Sequence, residues 1–119
     1  MNTVQIRPEE LIKMLRPEFV SSGGGSVMLY NTVRVVASPY TVLAADEIIF
    51  VDTDGGAITV NLPAGVKGKH YKVINCGSSG NNVTLTPNGV EKLFGVNAAE
   101  TLFDGENVDI HFEPVENWF

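Results

Sequence analysis

Three aspartates in the first half of the chain offer the oxygen ligands that a hard cation prefers. Asp52 and Asp54 belong to residues 52–56, DTDGG, which look like the start of a calcium-binding loop, and Asp46 precedes them. The twelfth position of such a loop would be Pro63, where calcium binding requires a glutamate, and the flanking patterns are those of strands. We therefore expect a turn of aspartates and glycines without a metal.

The other side chains that could do chemistry are two histidines, one cysteine and six serines. His70 and His111 lie in alternating segments, and neither has a partner at the spacing of a metal site. The serines stand in turns or linkers without the motif of an activated nucleophile. Cys76 cannot form an intrachain disulfide, and we interpret it as a small buried apolar residue. The sequence thus predicts no enzyme, no catalytic residue and no cofactor.

Charge and hydropathy exclude two classes of partner. The net charge is −6, and all of it lies outside residues 1–20, in which three basic and three acidic side chains cancel. An acidic body repels phosphate backbones, so we expect no nucleic-acid binding. No run reaches the ~18 apolar residues of a membrane span, and no signal peptide is visible. We expect no membrane partner and a protein that stays in the cytoplasm until it is assembled or released.

The N-terminal segment predicts a short helix at residues 8–15, PEELIKML. Pro8 suits the first helical position, and Pro17 ends the helix. A helix of about two turns is unstable alone in water, so its apolar stripe must be buried. The candidate partner-binding residues come from the extended arm, from the stripe and from the residues just after the helix. They are Val4, Ile6, Leu11, Ile12, Met14, Leu15 and Phe19.

A flexible linker follows at residues 21–26, SSGGGS, with Gly23, Gly24 and Gly25 as the candidate hinge. Such a hinge lets the helix stand away from the body, which favours docking on a different chain over packing on its own domain. We divide the chain into a docking arm and helix (1–20), a linker (21–30) and a β domain (31–119).

From residue 33 the apolar period changes to two, and the alternation is clearest in residues 57–62, AITVNL. Short strands are separated by turns such as DTDGG, PNG and the hairpin signal Asp104-Gly105, and no repeat period stands out. This pattern predicts an all-β body, a small antiparallel β-sandwich or barrel-like domain. Trp118 and Phe119 either plug the end of the sandwich or contact a neighbouring subunit.

Three stretches of the body also carry a resemblance. They are residues 40–63, from YTV to DTDGGAITVNLP, residues 68–89, GKHYKVIN to NNVTLTPNG, and residues 104–118, DGENVDIHF to NW. Together they resemble a recurring β module of tailed-phage fibre, tailspike, head-fibre and capsid-decoration proteins. The resemblance covers roughly residues 33–119 and rests on turns and strand alternation.

The resemblance implies a structural virion protein that is often a homotrimer. We expect a capsid-decoration or head-fibre protein, anchored through its N-terminal helix to the major capsid protein and assembled into the virion in the host cytoplasm. One alternative is a neck or tail adaptor, or a short tail fibre, bound to a neck or tail protein. A further alternative from another class is a carbohydrate-binding module or a small hydrolase. A charged fraction of only 18% gives weak support to an oligomer, although a monomer with a Ser/Thr/Asn surface fits it equally well.

Overall fold

A computed structural model describes residues 21–22, 25–26 and 29–119. The chain divides into two compact units, Met1–Tyr30 and Asn31–Phe119. Within the first unit, β1 (Ser21–Ser22) and β2 (Gly25–Ser26) pair in the antiparallel sense. The predicted arm and helix, residues 1–20, lie outside the described residues.

The second unit confirms the prediction of an all-β body. Two sheets make it up, with the strand orders β11-β10-β7-β5-β3 and β4-β6-β8-β9. Their bounds are β3 (Thr32–Val35), β4 (Tyr40–Thr41), β5 (Ile48–Val51), β6 (Ile58–Asn61), β7 (His70–Asn75), β8 (Val83–Thr86), β9 (Glu100–Leu102), β10 (Asn107–Glu113) and β11 (Asn117–Trp118).

The chain winds through this unit as a coil. From β3 to β8, consecutive strands alternate between the two sheets, and every pairing among them is parallel. Each turn of the coil therefore places one strand in each sheet, as in a short β-solenoid. The turns differ in length, since Thr32 pairs with Ile48 and Ile48 pairs with Lys72. Unequal turns explain why no repeat period is visible in the sequence.

The predicted antiparallel pairing is wrong for this coil, because the sheets are mixed. Within residues 31–119, antiparallel strand pairs join β7 to β10, β10 to β11 and β8 to β9. The turn at Asp104-Gly105 forms, with the backbone N–H of Glu106 donating to the carbonyl of Phe103 at 2.9 Å. Its two flanking strands, however, belong to different sheets, so it is not a hairpin. A period of two describes a strand's faces and not the direction of its neighbour.

The core lies between the sheets and is built from the inward side chains of both. The predicted alternation in β6 is confirmed, because Ile58 and Val60 are buried while Thr59 and Asn61 face outward. Each such aliphatic side chain contributes about 1.5–3 kcal/mol when it is fully buried. The largest fully buried side chains are Trp118, Tyr71, Ile49, Leu62, Leu85, Leu93 and Ile110.

Cys76 is exposed, so the interpretation of this residue as a buried apolar side chain is wrong. The reason lies in the register of β7, which points Tyr71, Val73 and Asn75 inward. Asn75 takes the buried position at the end of this row, and the next residue therefore faces solvent. The Cys76 backbone N–H still belongs to the sheet, since it donates to the Val51 carbonyl at 2.9 Å.

Candidate interaction surface

The predicted partner-binding residues fall largely on the N-terminal segment, outside the part of the chain that the structure describes. The same holds for Gly23 and Gly24 of the predicted hinge, while Gly25 pairs with Ser22 between β1 and β2. The predicted partner-binding residues that lie outside the described residues are Val4, Ile6, Leu11, Ile12, Met14, Leu15 and Phe19.

The two C-terminal aromatics have different environments. Trp118 is fully buried, 5.6 Å from the Tyr71 ring and 5.0 Å from the Phe112 ring between centroids. Its indole Nε1 donates a hydrogen bond of 3.2 Å to Glu91 Oε1. Phe119 remains 50% exposed. The Trp118 ring therefore packs within its own chain, and Phe119 is the terminal ring that a partner can reach.

The aspartates of residues 52–56 hold loops together. Asp52 Oδ2 accepts a hydrogen bond of 2.6 Å from Arg34 Nη2. Asp54 Oδ1 accepts from the Ser78 backbone N–H and from Ser79 Oγ, each at 2.8 Å. These hydrogen bonds, the Ser78 one first, lower the pKa of the Asp54 carboxyl. Among residues 29–119 and the two short strands before them, no group of three His, Cys, Asp or Glu side chains could hold a metal ion.

Asp46 is buried and accepts hydrogen bonds from one residue of β4 and one residue of the loop that follows it. Tyr40 Oη donates to Asp46 Oδ2 at 2.6 Å, and the Leu43 backbone N–H donates to the same oxygen at 2.9 Å. Burial, together with the neighbouring carboxylate, raises the pKa of Tyr40 to about 12. The arrangement closes the loop between β4 and β5.

Asn75 is a polar group that the sequence reasoning missed. Its side-chain amide is fully buried and donates to the carbonyls of Asn81 at 3.1 Å and Leu102 at 3.0 Å. Its Oδ1 accepts from Thr53 Oγ1 at 2.9 Å and from the Gly77 backbone N–H at 3.0 Å. All four bonding directions of the amide are satisfied, so Asn75 has a structural role.

Four aromatic side chains lie on neighbouring outward-facing segments at one edge of the larger sheet, and their rings touch in two pairs. We call these four residues, His70, His111, Phe119 and Phe94, the aromatic row. The two imidazoles stack with centroids 4.5 Å apart. His111 and Phe119 exchange both backbone hydrogen bonds, which places their side chains next to each other on one face. Phe94 meets Phe119 edge-on, at 6.1 Å between centroids.

Polar side chains flank the imidazole end of the aromatic row. His70 Nε2 lies 3.2 Å from Asp109 Oδ1, and Lys72 Nζ lies 3.7 Å from Asp109 Oδ2. Strand alternation in the sequence indicates that both histidine side chains point away from the core. It did not show that β7, β10 and β11 are neighbours, which is what brings the rings together.

The sequence comparisons do not assign this chain to a family. No family model matches the chain, and a search of curated proteins finds no match to its sequence. Within the described residues no helix is long and apolar enough to cross a membrane. The functional assignment therefore rests on the residues themselves.

Proposed function

We propose that this chain is a non-enzymatic structural protein of a tailed-phage virion, a capsid-decoration or head-fibre protein anchored through its N-terminal segment. The observation that supports the proposal best is the division of the chain into two units. The core of the β unit is built from described residues between Val35 and Trp118. In this proposal the apolar residues of the N-terminal segment dock on the capsid. The resemblance of residues 33–119 to phage virion modules gives the class of particle.

The titratable side chains of the β unit support a structural role. Asp46, Asp54 and Glu91 accept hydrogen bonds from backbone N–H groups of their own chain. Hydrogen bonds of this kind fix the loops that these three carboxylates join. Anchoring would come from apolar area that the arm buries on the capsid, and several arms on one oligomer would add avidity.

The proposal is tested by removing the anchor. In virions assembled with the chain supplied in trans, deletion of residues 1–20 should abolish incorporation, measured by quantitative mass spectrometry of gradient-purified particles. In the full-length chain, the pair Leu11→Asp and Leu15→Asp should have the same effect, because it places charges on the docking stripe. Lys13→Gln, on the same segment, is the matched control and should be incorporated normally. Full occupancy by the deletion variant would refute the proposal.

A neck or tail adaptor is the second candidate, because it would use the same anchor at another site of the virion. Cryo-electron microscopy of labelled particles separates the two. Copies spread over the whole capsid support decoration, and copies confined to a single ring at the vertex that bears the tail support an adaptor or short fibre.

A further inference from the structure

The strand β3 forms an open edge of the larger sheet. Within the described residues it pairs with β5 alone, and it stands last in the strand order. The Asp52 backbone N–H donates to the Val35 carbonyl at 2.9 Å, so Val35 and Val33 direct their backbone groups toward β5. In a parallel pair the alternate residues direct theirs the other way. The N–H and C=O groups of Thr32 and Arg34 therefore face away from the sheet, where a further strand can pair.

One row of the core also ends at this edge. The register places Val33, Ile49 and Val73 side by side, and the last two are fully buried. Val33 packs against the same core but is only partly buried. Sheet edges are commonly protected by proline, lysine or a bulge, and the four regularly paired residues of β3, TVRV, hold none of these. The charge of Arg34 is paired with Asp52. The edge thus keeps the features of a surface that accepts a strand.

The N-terminal arm of the chain repeats the sequence of this edge. Residues 2–6 are NTVQI, and residues 31–35, which include β3, are NTVRV. Three of the five positions are identical, and the other two keep a polar and a β-branched residue. A second strand of this sequence, parallel to β3 and in the same register, would direct Val4 and Ile6 inward beside the row that ends at Val33. The arm therefore has the side-chain pattern that the open edge requires.

We propose that residues 2–6 of each copy add as a strand to β3 of a neighbouring copy. The N–H groups of Val4 and Ile6 then donate to the carbonyls of Thr32 and Arg34, as the parallel pattern requires. In a ring of three copies each edge receives one arm, so the contact closes. The inference deepens the proposed function and takes the three-chain assembly from it. It assigns Val4 and Ile6 to a neighbouring copy and leaves the helix stripe for the virion.

The chain that follows the arm is long enough to reach a second copy. Residues 7–20 are 14 residues (20 − 7 + 1), which span at most about 45–50 Å when extended. A unit of the size of Asn31–Phe119 has a diameter of about 30 Å. The tether therefore exceeds the width of one such unit. Two β3 edges paired with each other about a twofold axis would instead give an even number of chains, which does not fit a ring of three.

Disulfide cross-linking of the full-length protein tests the pairing. Cys76→Ser first removes the single native thiol. Thr3→Cys and Thr32→Cys then place two thiols side by side on neighbouring strands, whose spacing of about 4.8 Å suits a disulfide. After oxidation, non-reducing gel electrophoresis should show linked products that stop at three chains. Val4→Cys with Thr32→Cys is the matched control, because its thiols point to opposite faces and should not link.

Three results of this experiment would overturn the inference. One is the absence of linked chains in the Thr3→Cys, Thr32→Cys variant. Another is a bridge between these two residues at single-chain mobility, identified by mass spectrometry of tryptic peptides, which would place the arm on its own edge. The third is equally efficient linking by Thr32→Cys alone, which would show that two β3 edges pair with each other.

A pair of arm variants tests the side-chain pattern. Val4→Asp places a carboxylate on the inward face of the arm, where it has no partner, and should convert the three-chain mass to a single-chain mass in light scattering. Gln5→Asp introduces the same side chain on the outward face, beside Arg34, and should keep the three-chain mass. Equal masses for the two variants would contradict the register.

The cross-link and the incorporation assay fail independently. The pair Leu11→Asp and Leu15→Asp alters the helix stripe and leaves residues 2–6 intact, so it should keep the cross-link while incorporation into virions is lost. Full incorporation of this pair with the cross-link present would refute the proposed anchor alone. Absence of the cross-link in a chain that is incorporated normally would refute strand exchange alone.

Discussion

Asn75 shows how a single buried amide can specify the end of the coil. It links the turn after β5 through Thr53, the loop after β7 through Gly77 and the end of β9 through Leu102. An amide has both donors and acceptors, so it can satisfy carbonyls and N–H groups at one point. A carboxylate or an aliphatic side chain of similar size can do only part of this.

We therefore expect Asn75→Asp to lower the free energy of unfolding by about 3 kcal/mol at neutral pH. The substitution replaces two donors by acceptors that face the carbonyls of Asn81 and Leu102. Urea unfolding followed by tryptophan fluorescence measures the effect. Asn61→Asp, on the outer face of β6, makes the same chemical change and should cost within about 0.5 kcal/mol. Equal losses in the two variants would contradict this role.

At the scale of elements, the C-terminal strand depends on one carboxylate from another segment. Glu91 accepts from the Gly65 backbone N–H at 2.9 Å and from Trp118 Nε1 at 3.2 Å. The backbone of β11 is also tied to this segment, because the Trp118 N–H donates to the Lys92 carbonyl at 3.0 Å. The segment around Glu91 thus closes the end of the core where Trp118 packs.

Glu91→Ala should destabilise the protein by about 2 kcal/mol, the usual value for hydrogen bonds to a charged group. The loss should appear first as local opening, with faster hydrogen exchange at the Trp118 amide than at the amides of β6. Glu100→Ala, in the exposed edge strand β9, is the control and should leave exchange at Trp118 unchanged. An unaltered exchange rate at Trp118 in Glu91→Ala would show that the carboxylate does not hold β11.

At the scale of the whole molecule, the surface composition bears on association. Only 18% of the residues are charged, and exposed apolar side chains such as Val66, Val90 and Val115 are spread over the β unit. The proposed virion function implies a homotrimer. Light scattering of the purified full-length protein should therefore give a three-chain mass. A monomer mass at micromolar concentration would count against trimeric assembly and weaken the virion proposal.

The faces of the strands could be predicted from the sequence, because alternation is a local property of extended backbone. Residues 57–62 gave the correct inward and outward sides of β6, and the apolar and polar positions of β10 followed the same rule. The positions of turns at DTDGG and Asp104-Gly105 were also readable, since glycine and aspartate favour tight turns.

The partners of the strands could not be predicted in this way. Whether a turn folds a strand back on its neighbour or carries it to the opposite sheet depends on contacts between residues far apart in the chain. The same limit applies to the aromatic row, whose rings lie on separate segments, and to Asn75, whose partners lie before and after it. The antiparallel interpretation failed for this reason.

Composition, charge and alternation by themselves determined an all-β body and a net negative charge. Only the tertiary structure decided that the body is a parallel coil closed by antiparallel strands, that Trp118 is internal and that His70 stacks on His111. Local backbone geometry fixes which way each side chain points, whereas pairing is chosen by the burial of the whole core at once.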